Sequence, residues 1–141
     1  MCMRNLNEEI LNSWLNVTMS INNEKIVDSM TLNEMLICRL LYKNHVMTAT
    51  ELCSYLKMQK SQMNRTLTIM EEKHLISRAR SNEDKRNIYV SLVQENLEVY
   101  QKEHARILKI VDYFIEKIGP EKAEQTLELF NLIADIAQQE E

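Results

Sequence analysis

Glycine is almost absent from this 141-residue chain, which contains one, Gly119, where average usage would give about ten. Phosphate-binding loops, dinucleotide-binding turns and nucleophile elbows need glycine for a positive φ angle or a close backbone approach. None of these sites can be built here, and no paired carboxylates or Ser/His/Asp set occurs on a plausible cleft wall. We therefore expect that the protein is not an enzyme. Proline is equally scarce, with Pro120 alone, and this composition favours long helices with few tight turns.

Long apolar runs are also absent. No run reaches the 18 residues that a membrane-spanning helix needs, and the first residues lack the basic-then-apolar pattern of a secretory signal, so we expect a cytoplasmic protein with no membrane partner. The three cysteines, Cys2, Cys38 and Cys53, form no C-x-x-C pair and are odd in number, which favours reduced thiols. Together with the three histidines they form no close-spaced ligand set. We expect no metal and no cofactor.

The net charge of −4 is unevenly distributed along the chain. Residues 57–86 contain eight basic and four acidic side chains, a net charge of +4, and the remainder carries nine basic and seventeen acidic ones, a net charge of −8. A basic stripe on an acidic body is the electrostatic pattern of a surface that contacts phosphates, because only the contacting face needs to be positive. Charge alone allows an ordinary solvated surface equally well.

Apolar spacing predicts a series of helices over the first part of the chain. From Leu6 to Ile21 apolar residues recur every three or four positions, which is typical of one face of a helix. Thr31 and Glu34 stand in the S/T-x-x-E relation of a capping box, and so do Thr48 and Glu51. In this motif the hydroxyl accepts a hydrogen bond from the first turn and the carboxylate accepts one from the cap residue. Two further helices are therefore predicted to begin at these threonines.

A turn and a fourth helix follow, with an unusually polar outer face. Met63, Leu67 and Met70 form a narrow apolar stripe on a predicted helix that extends to about His74. Beyond it, residues 76–80 and 88–92 are predicted to be strands, the second of which shows a period-two alternation, and the seven residues between them are all polar. The pattern predicts a β-hairpin with a long polar wing.

The rest of the chain predicts two long helices. The first extends from Leu97 to Ile118 and ends at Gly119, and the second begins at Pro120, where the missing N–H of proline costs nothing. Their apolar faces are longer than a compact winged domain can cover, so we infer that they pair with a second chain. The expected fold is mainly α with a small β-hairpin: a winged helix-turn-helix domain at residues 31–93, with dimerisation helices at residues 1–30 and 94–141.

This order of elements resembles the multiple antibiotic resistance regulator (MarR) family. The most specific parts are residues 48–52, 61–76 and 82–86, the last resembling the family's acidic-basic-arginine wing signature. The resemblance implies a homodimer that binds a pseudo-palindromic double-stranded DNA operator, usually as a repressor released by a small molecule or an oxidant. Two departures concern local geometry: His74 stands where the family most often has glycine, and Asn96 lies in a junction usually written with threonine and glycine.

The candidate DNA-binding residues lie on the polar helix face and the wing. A helix N-terminus in the major groove offers base contacts from its first turns, with Lys60 and Thr68 better placed for phosphates. At the wing, Lys85 or Arg86 could enter a minor groove, and Asp84 could brace Arg86. The helix candidates are Gln59, Lys60, Ser61, Gln62, Asn64, Arg65 and Thr68, and the wing candidates are Arg80, Ser81, Asp84, Lys85, Arg86 and Asn87.

The sequence indicates less about the signal that such a regulator would sense than about its DNA-binding residues. The resemblance implies a crevice near the first, second and fifth helices, and a plain core or surface role stays open for each of its candidates, which are Trp14, Met19, Met35, Arg39, Tyr42 and Tyr113. A redox-responsive regulator is an alternative, although Cys38 and Cys53 lie on or beside apolar stripes, as inert thiols do. A winged-helix module that binds only proteins is the other alternative.

Overall fold

The computed structural model describes residues 4–23, 30–83 and 86–139, with the backbone alone at residues 21–23. It divides into two compact units, one ending at His104 and one beginning at Ala105. The described helices are α1 (Leu6–Asn23), α2 (Leu32–Asn44), α3 (Ala49–Leu56), α4 (Lys60–Glu72), α5 (Leu97–Ile118) and α6 (Pro120–Gln139). The strands are β1 (Val46–Thr48), β2 (Ile76–Arg80) and β3 (Ile88–Leu92), and a short 3-10 helix, Gln94–Asn96, precedes α5. The predicted mainly helical winged fold is confirmed.

The sheet has three antiparallel strands in the order β1-β3-β2. The predicted hairpin is formed by β2 and β3, which pair along their whole length from Ile76 opposite Leu92 to Arg80 opposite Ile88. Strand β1 was not expected. It pairs with the other edge of β3, with Met47 opposite the buried Val90. The sheet therefore ties the segment before α3 to the base of the wing.

Both predicted capping boxes are present. Thr31 Oγ1 accepts from the Glu34 backbone N–H at 3.2 Å, and Glu34 Oε2 accepts from the Thr31 N–H at 3.0 Å. Thr48 and Glu51 make the same reciprocal pair at 3.1 Å in both directions. Each box satisfies N-terminal N–H groups that have no partner inside the helix. These caps fix where α2 and α3 begin.

The core of the first unit lies between α2, α3, α4 and the sheet. Its fully buried residues include Ile37 and Leu41 of α2, Leu52 of α3, and Leu67 of α4. Within α2, Met35 and Cys38 are also buried, whereas Leu36 and Leu40 are half-buried. Five methionines are also buried in this unit: Met30, Met35, Met47, Met63 and Met70.

The second unit consists of the later part of α5 and all of α6. Gly119 separates the two helices at a φ of +91°, a conformation that glycine adopts without strain, and α6 begins at Pro120 as predicted. Large apolar side chains of this unit are exposed in the chain on its own, among them Phe114 and Phe130. The assignment of residues 1–30 and 94–141 to dimerisation stays a prediction.

Candidate nucleic-acid interface

A tight turn joins α3 to α4. Lys57 ends α3 in the left-handed region, with φ 54° and ψ 42°, and the Met58 N–H donates to the Cys53 carbonyl at 3.2 Å. Gln59 then adopts an extended conformation as the N-cap of α4, and its side chain makes no cap hydrogen bond. The turn is therefore built by the backbone, and the Gln59 amide lies exposed at the start of α4.

Helix α4 packs against the core through one narrow apolar stripe. Met63, Leu67 and Met70 are at most 1% exposed, and they recur at the spacing that places them on one helix face. The other face of the first turns is open, and its predicted reading residues are all exposed: Lys60, Ser61, Gln62, Asn64, Arg65 and Thr68. The fold therefore brings these side chains together on one surface, and the carboxylates of α4, Glu71 and Glu72, lie in its last turn.

Thr68 differs from the rest of this face because its hydroxyl already has protein partners. Its Oγ1 donates to the Asn64 carbonyl at 2.8 Å and accepts from Arg78 Nη2 at 3.3 Å. The predicted phosphate contact of Thr68 would have to compete with these bonds. They involve the backbone carbonyl of Asn64 and not its exposed side-chain amide.

Arg78 of β2 is a polar link between strand and helix that the sequence reasoning missed. Besides Thr68, its Nη2 binds Glu71 Oε1 at 3.1 Å, and hydrogen bonding from the guanidinium lowers the pKa of the Glu71 carboxyl. The available signal was the period of two in β2, because Arg78 shares a strand face with the buried Ile76. An arginine at such a position points toward the packed side of the sheet, where a helix carboxylate can meet it.

The wing begins directly after Arg80. Among the predicted wing residues, Arg80 and Arg86 are exposed, and Ser81 and Asn87 are half-buried. The Ser81 N–H donates to the Asn87 carbonyl at 3.3 Å, which closes the base of the loop. Asp84 and Lys85 lie outside the described residues, so the proposed brace between Asp84 and Arg86 stays a prediction.

The end of α4 is attached to α2 by a partly buried ion pair. Lys73 Nζ lies 2.8 Å and 3.0 Å from the two carboxylate oxygens of Glu34. The Glu34 side chain is 3% exposed and the Lys73 side chain is 40% exposed. Glu34 therefore has two roles, as the capping carboxylate of α2 and as the partner of the residue that follows α4.

The two residues that depart from the family pattern are bonded to each other. His74 has a φ of 60°, the left-handed conformation expected for that position, and its carbonyl accepts from Asn96 Nδ2 at 2.8 Å. Next to it, the Leu75 carbonyl accepts from the Val93 N–H at 3.0 Å. The segment after α4 is thus held to the start of α5 by two hydrogen bonds.

A cavity of about 390 Å³ lies between α2 and the first turns of α5. It combines aromatic rings with cationic side chains. The Tyr42 and Tyr100 ring centroids are 5.4 Å apart and those of Tyr100 and His104 5.8 Å apart, and burial raises the pKa of the Tyr100 hydroxyl. The lining residues are Arg39, Tyr42, Lys43, Tyr100, Gln101 and His104.

The structure brings only part of the predicted effector set to this cavity. Arg39 and Tyr42 line it, whereas Met35 is 5% exposed in the core. Trp14 and Met19 are exposed on α1, and Tyr113 is exposed in the second unit with Lys117 Nζ 5.4 Å from its ring centroid. Sequence reasoning missed Tyr100 and His104, which follow one another at the i, i+4 spacing of one helix face.

The two described thiols differ in burial. Burial, together with the nearby Glu34 carboxylate, raises the pKa of Cys38 to about 12, so this thiol is a poor nucleophile. Cys53 is half-buried and Cys2 lies outside the described residues. Within residues 4–23, 30–83 and 86–139, no three His, Cys, Asp or Glu side chains are grouped to hold a metal ion. No helix in this part of the chain is long and apolar enough to span a bilayer.

Comparisons with known proteins found a matching family model and solved structures of similar fold. Residues 30–88 match the family model of the MarR family. Among solved structures, AbsC of Streptomyces coelicolor, a MarR family transcriptional regulator, has a TM-score of 0.80 at 19% identity, covering 99% of both chains. The PcaV regulator of the same organism, in complex with its natural ligand, has a TM-score of 0.77 at 15% identity, covering 97% of this chain and 99% of PcaV.

A third structure contains DNA. FabT of Streptococcus pneumoniae in complex with DNA has a TM-score of 0.75 at 16% identity, covering 96% of this chain and 97% of FabT. A search of curated proteins gave no match. Residues 30–88 thus match the family model of the MarR family, and nearly the whole chain has the winged helix-turn-helix fold of the solved MarR family regulator AbsC.

Proposed function

We propose that this protein regulates transcription by binding a pseudo-palindromic double-stranded DNA operator as a homodimer, as a repressor that a small molecule releases. The observation that carries the proposal is the outer face of α4. It presents exposed amide, hydroxyl and cationic groups over its first turns, and its inner stripe is fixed in the core. The FabT structure, which contains DNA, supports the same use of this fold.

Each group on this face has a defined chemical partner in DNA. Arg65 can donate two hydrogen bonds to guanine, and Gln62 or Asn64 can pair with adenine. Lys60, in the first turn of α4, supplies a point charge for a phosphate. At the wing, Arg80 and Arg86 are exposed cations that can enter an adjacent groove. In this proposal α4 determines which DNA sequence is bound, and the wing adds affinity through contacts in the adjacent groove.

A homodimer is supported by the apolar surfaces at both ends of the chain. Trp14 in α1 is 62% exposed and Phe130 in α6 is 65% exposed, with many leucines and isoleucines exposed on the same helices. Monomeric soluble proteins rarely leave extended apolar patches uncovered. A symmetric dimer that covers them would present two recognition helices to half-sites about 34 Å apart, which is one turn of DNA.

Small-molecule release is supported by the cavity between α2 and α5. Arg39 and Lys43 supply positive charge beside the rings of Tyr42, Tyr100 and His104, a combination that suits an anionic aromatic molecule. PcaV, which has the same fold, was solved with its natural ligand. If an effector binds here, a panel of benzoate derivatives will include one that dissociates the DNA complex, and Arg39→Met will abolish that response but not DNA binding.

The test of DNA recognition begins with the purified full-length protein and sheared genomic DNA. Fragments retained by the protein are sequenced to find a common site, and affinity for that site is measured by fluorescence anisotropy. Arg65→Ala should weaken binding by about 1–3 kcal/mol and relax the preference at one base pair. Lys122→Ala removes one positive charge from an exposed side chain outside α4 and the wing and serves as the matched control. Equal effects of the two variants would remove Arg65 from the reading surface.

The same experiment addresses the protein-interaction alternative. A regulator of this kind binds even random AT-rich duplex weakly at low salt, because phosphate contacts do not depend on sequence. If neither enrichment nor salt-sensitive binding is seen with correctly folded protein, the DNA-binding proposal is wrong and the winged domain is an interaction module.

A further inference from the structure

The recognition helix carries a carboxylate that a DNA-binding surface would ordinarily avoid. Glu71 lies in the last turn of α4, 44% exposed, and its Oε1 is 3.1 Å from Arg78 Nη2. A negative charge close to phosphates lowers DNA affinity by repulsion. Glu72 beside it is also exposed and makes no ion pair within the described part of the chain. The two adjacent glutamates therefore differ in one respect, the contact of Glu71 with β2.

Arg78 is well placed to transmit position from the sheet to the helix. Its backbone is fixed opposite Val90, a residue that is 0% exposed, in the fully paired β2–β3 ladder. Its guanidinium reaches both Glu71 and Thr68, which are three residues apart and therefore neighbours on one side of α4. The wing loop begins three residues after Arg78, at Ser81.

The contact has the properties of a brace more than those of a stabilising ion pair. Ion pairs that solvent reaches add little to folding stability. Here the Arg78 side chain is 23% exposed and the Glu71 side chain is 44% exposed. The hydroxyl of Thr68 extends the contact to the Asn64 carbonyl, so Arg78 is connected over two turns of the helix. A planar guanidinium with two acceptors on the helix restricts direction as well as distance.

We propose that Arg78 and Glu71 form a brace that sets the position of the wing relative to the recognition helix, so that helix and wing enter adjacent grooves together. The proposal rests on the proposed DNA-binding function. Arg78 and Glu71 act here as positioning residues, and neither needs to touch DNA. The alternative role for Arg78, a phosphate contact, requires it to leave Glu71.

The two roles predict opposite signs for Glu71→Gln. If Arg78 contacts phosphate, removing the Glu71 charge frees the guanidinium and removes a repulsion, so affinity for DNA rises. If the brace holds, the weakened link lets the wing move, and affinity falls by about three- to thirtyfold, which lies within the range of a coupling between contacting residues. Glu72→Gln removes the same charge one residue away without touching the brace, and it should leave affinity unchanged or raise it.

The experiment measures anisotropy on the operator recovered by selection, for the full-length wild type, Glu71→Gln, Glu72→Gln and Arg78→Lys. Arg78→Lys keeps the charge but not the planar fork, so the brace predicts a loss similar to that of Glu71→Gln with no change in the salt slope of binding. Thermal unfolding followed by circular dichroism checks that each variant is folded.

Hydroxyl-radical footprints at saturating protein supply the readout that a merely structural role would not move. The brace predicts that Glu71→Gln keeps the protection made by the recognition helix and loses protection at the groove contacted by the wing. An affinity of Glu71→Gln equal to or above that of Glu72→Gln, or an unchanged wing footprint, overturns the brace alone. A folded wild type that binds no DNA overturns the proposed function and the brace with it.

Discussion

The partly buried ion pair between Glu34 and Lys73 predicts that replacing the lysine lowers stability more than replacing the glutamate. The Glu34 carboxylate is 3% exposed and accepts from Lys73 Nζ at 2.8 Å and from the Thr31 N–H at 3.0 Å. Lys73→Met leaves that carboxylate in place with the Thr31 N–H as its remaining partner among the described residues. Removing one member of a buried pair costs about 3–5 kcal/mol. Because Lys73 is 40% exposed and water reaches the pair, we expect about 2–3 kcal/mol.

The reverse change is milder. Glu34→Gln keeps an oxygen that can accept from Thr31, and the freed lysine can turn into water, so we expect a loss of about 1 kcal/mol, that of one hydrogen bond. The double variant should lose about 1–2 kcal/mol less than the sum of the single losses, because its two sites contact each other. Wild type and the single and double variants are compared by urea unfolding at one protein concentration.

This comparison can refute the reasoning in two ways. If Glu34→Gln costs as much as Lys73→Met, the buried carboxylate is not the group that needs compensation. If the double variant equals the sum of the single variants, the two side chains do not interact in solution. A change in the slope of the unfolding free energy with urea would mean that the variants alter the unfolded state as well.

Three further predictions concern single residues. Because the pKa of Cys38 is about 12, iodoacetamide at pH 8 should alkylate the half-buried Cys53 while Cys38 reacts only after unfolding, and rapid labelling of Cys38 in the folded protein would revive the redox alternative. Thr48→Ala should lower stability by about 1 kcal/mol through loss of the α3 cap, whereas Thr50→Ala, at an exposed helical position, should not; equal losses would contradict the capping role. His74→Gly should raise stability by about 1 kcal/mol because it relieves a positive φ while keeping the hydrogen bonds to the His74 and Leu75 carbonyls. A lower midpoint in thermal unfolding would show that the imidazole itself is needed.

Sequence patterns predicted the elements that are governed by local chemistry. The capping boxes located the starts of α2 and α3, and strands β2 and β3, the second marked by its alternation, have the predicted bounds. Gly119 and Pro120 marked the junction of the last two helices. Each of these signals lies within a few residues of the feature that it predicts, so no tertiary information was needed.

What was missed depends on contacts between distant residues. Strand β1 has three residues, too few to show alternation, and its partner β3 lies more than 40 positions away. The buried face of α2 could not be chosen from the pattern, because Met35, Leu36, Ile37 and Cys38 are four apolar residues in succession, which fit more than one helix face. The partners of Arg78 and Lys73 could not be chosen from sequence, since many acidic side chains could have met them.

The central claim is that the α4 face and the wing bind a specific DNA duplex. Its most direct test is an anisotropy titration of the selected operator and a scrambled duplex between 50 and 200 mM salt. Lys60, Arg65, Arg80 and Arg86 are exposed, so a dimer that contacts phosphates with both copies of these cations should lose about 10⁴-fold in affinity over this range while still preferring the operator. Binding that is insensitive to salt, or equal for the two duplexes, would contradict the account.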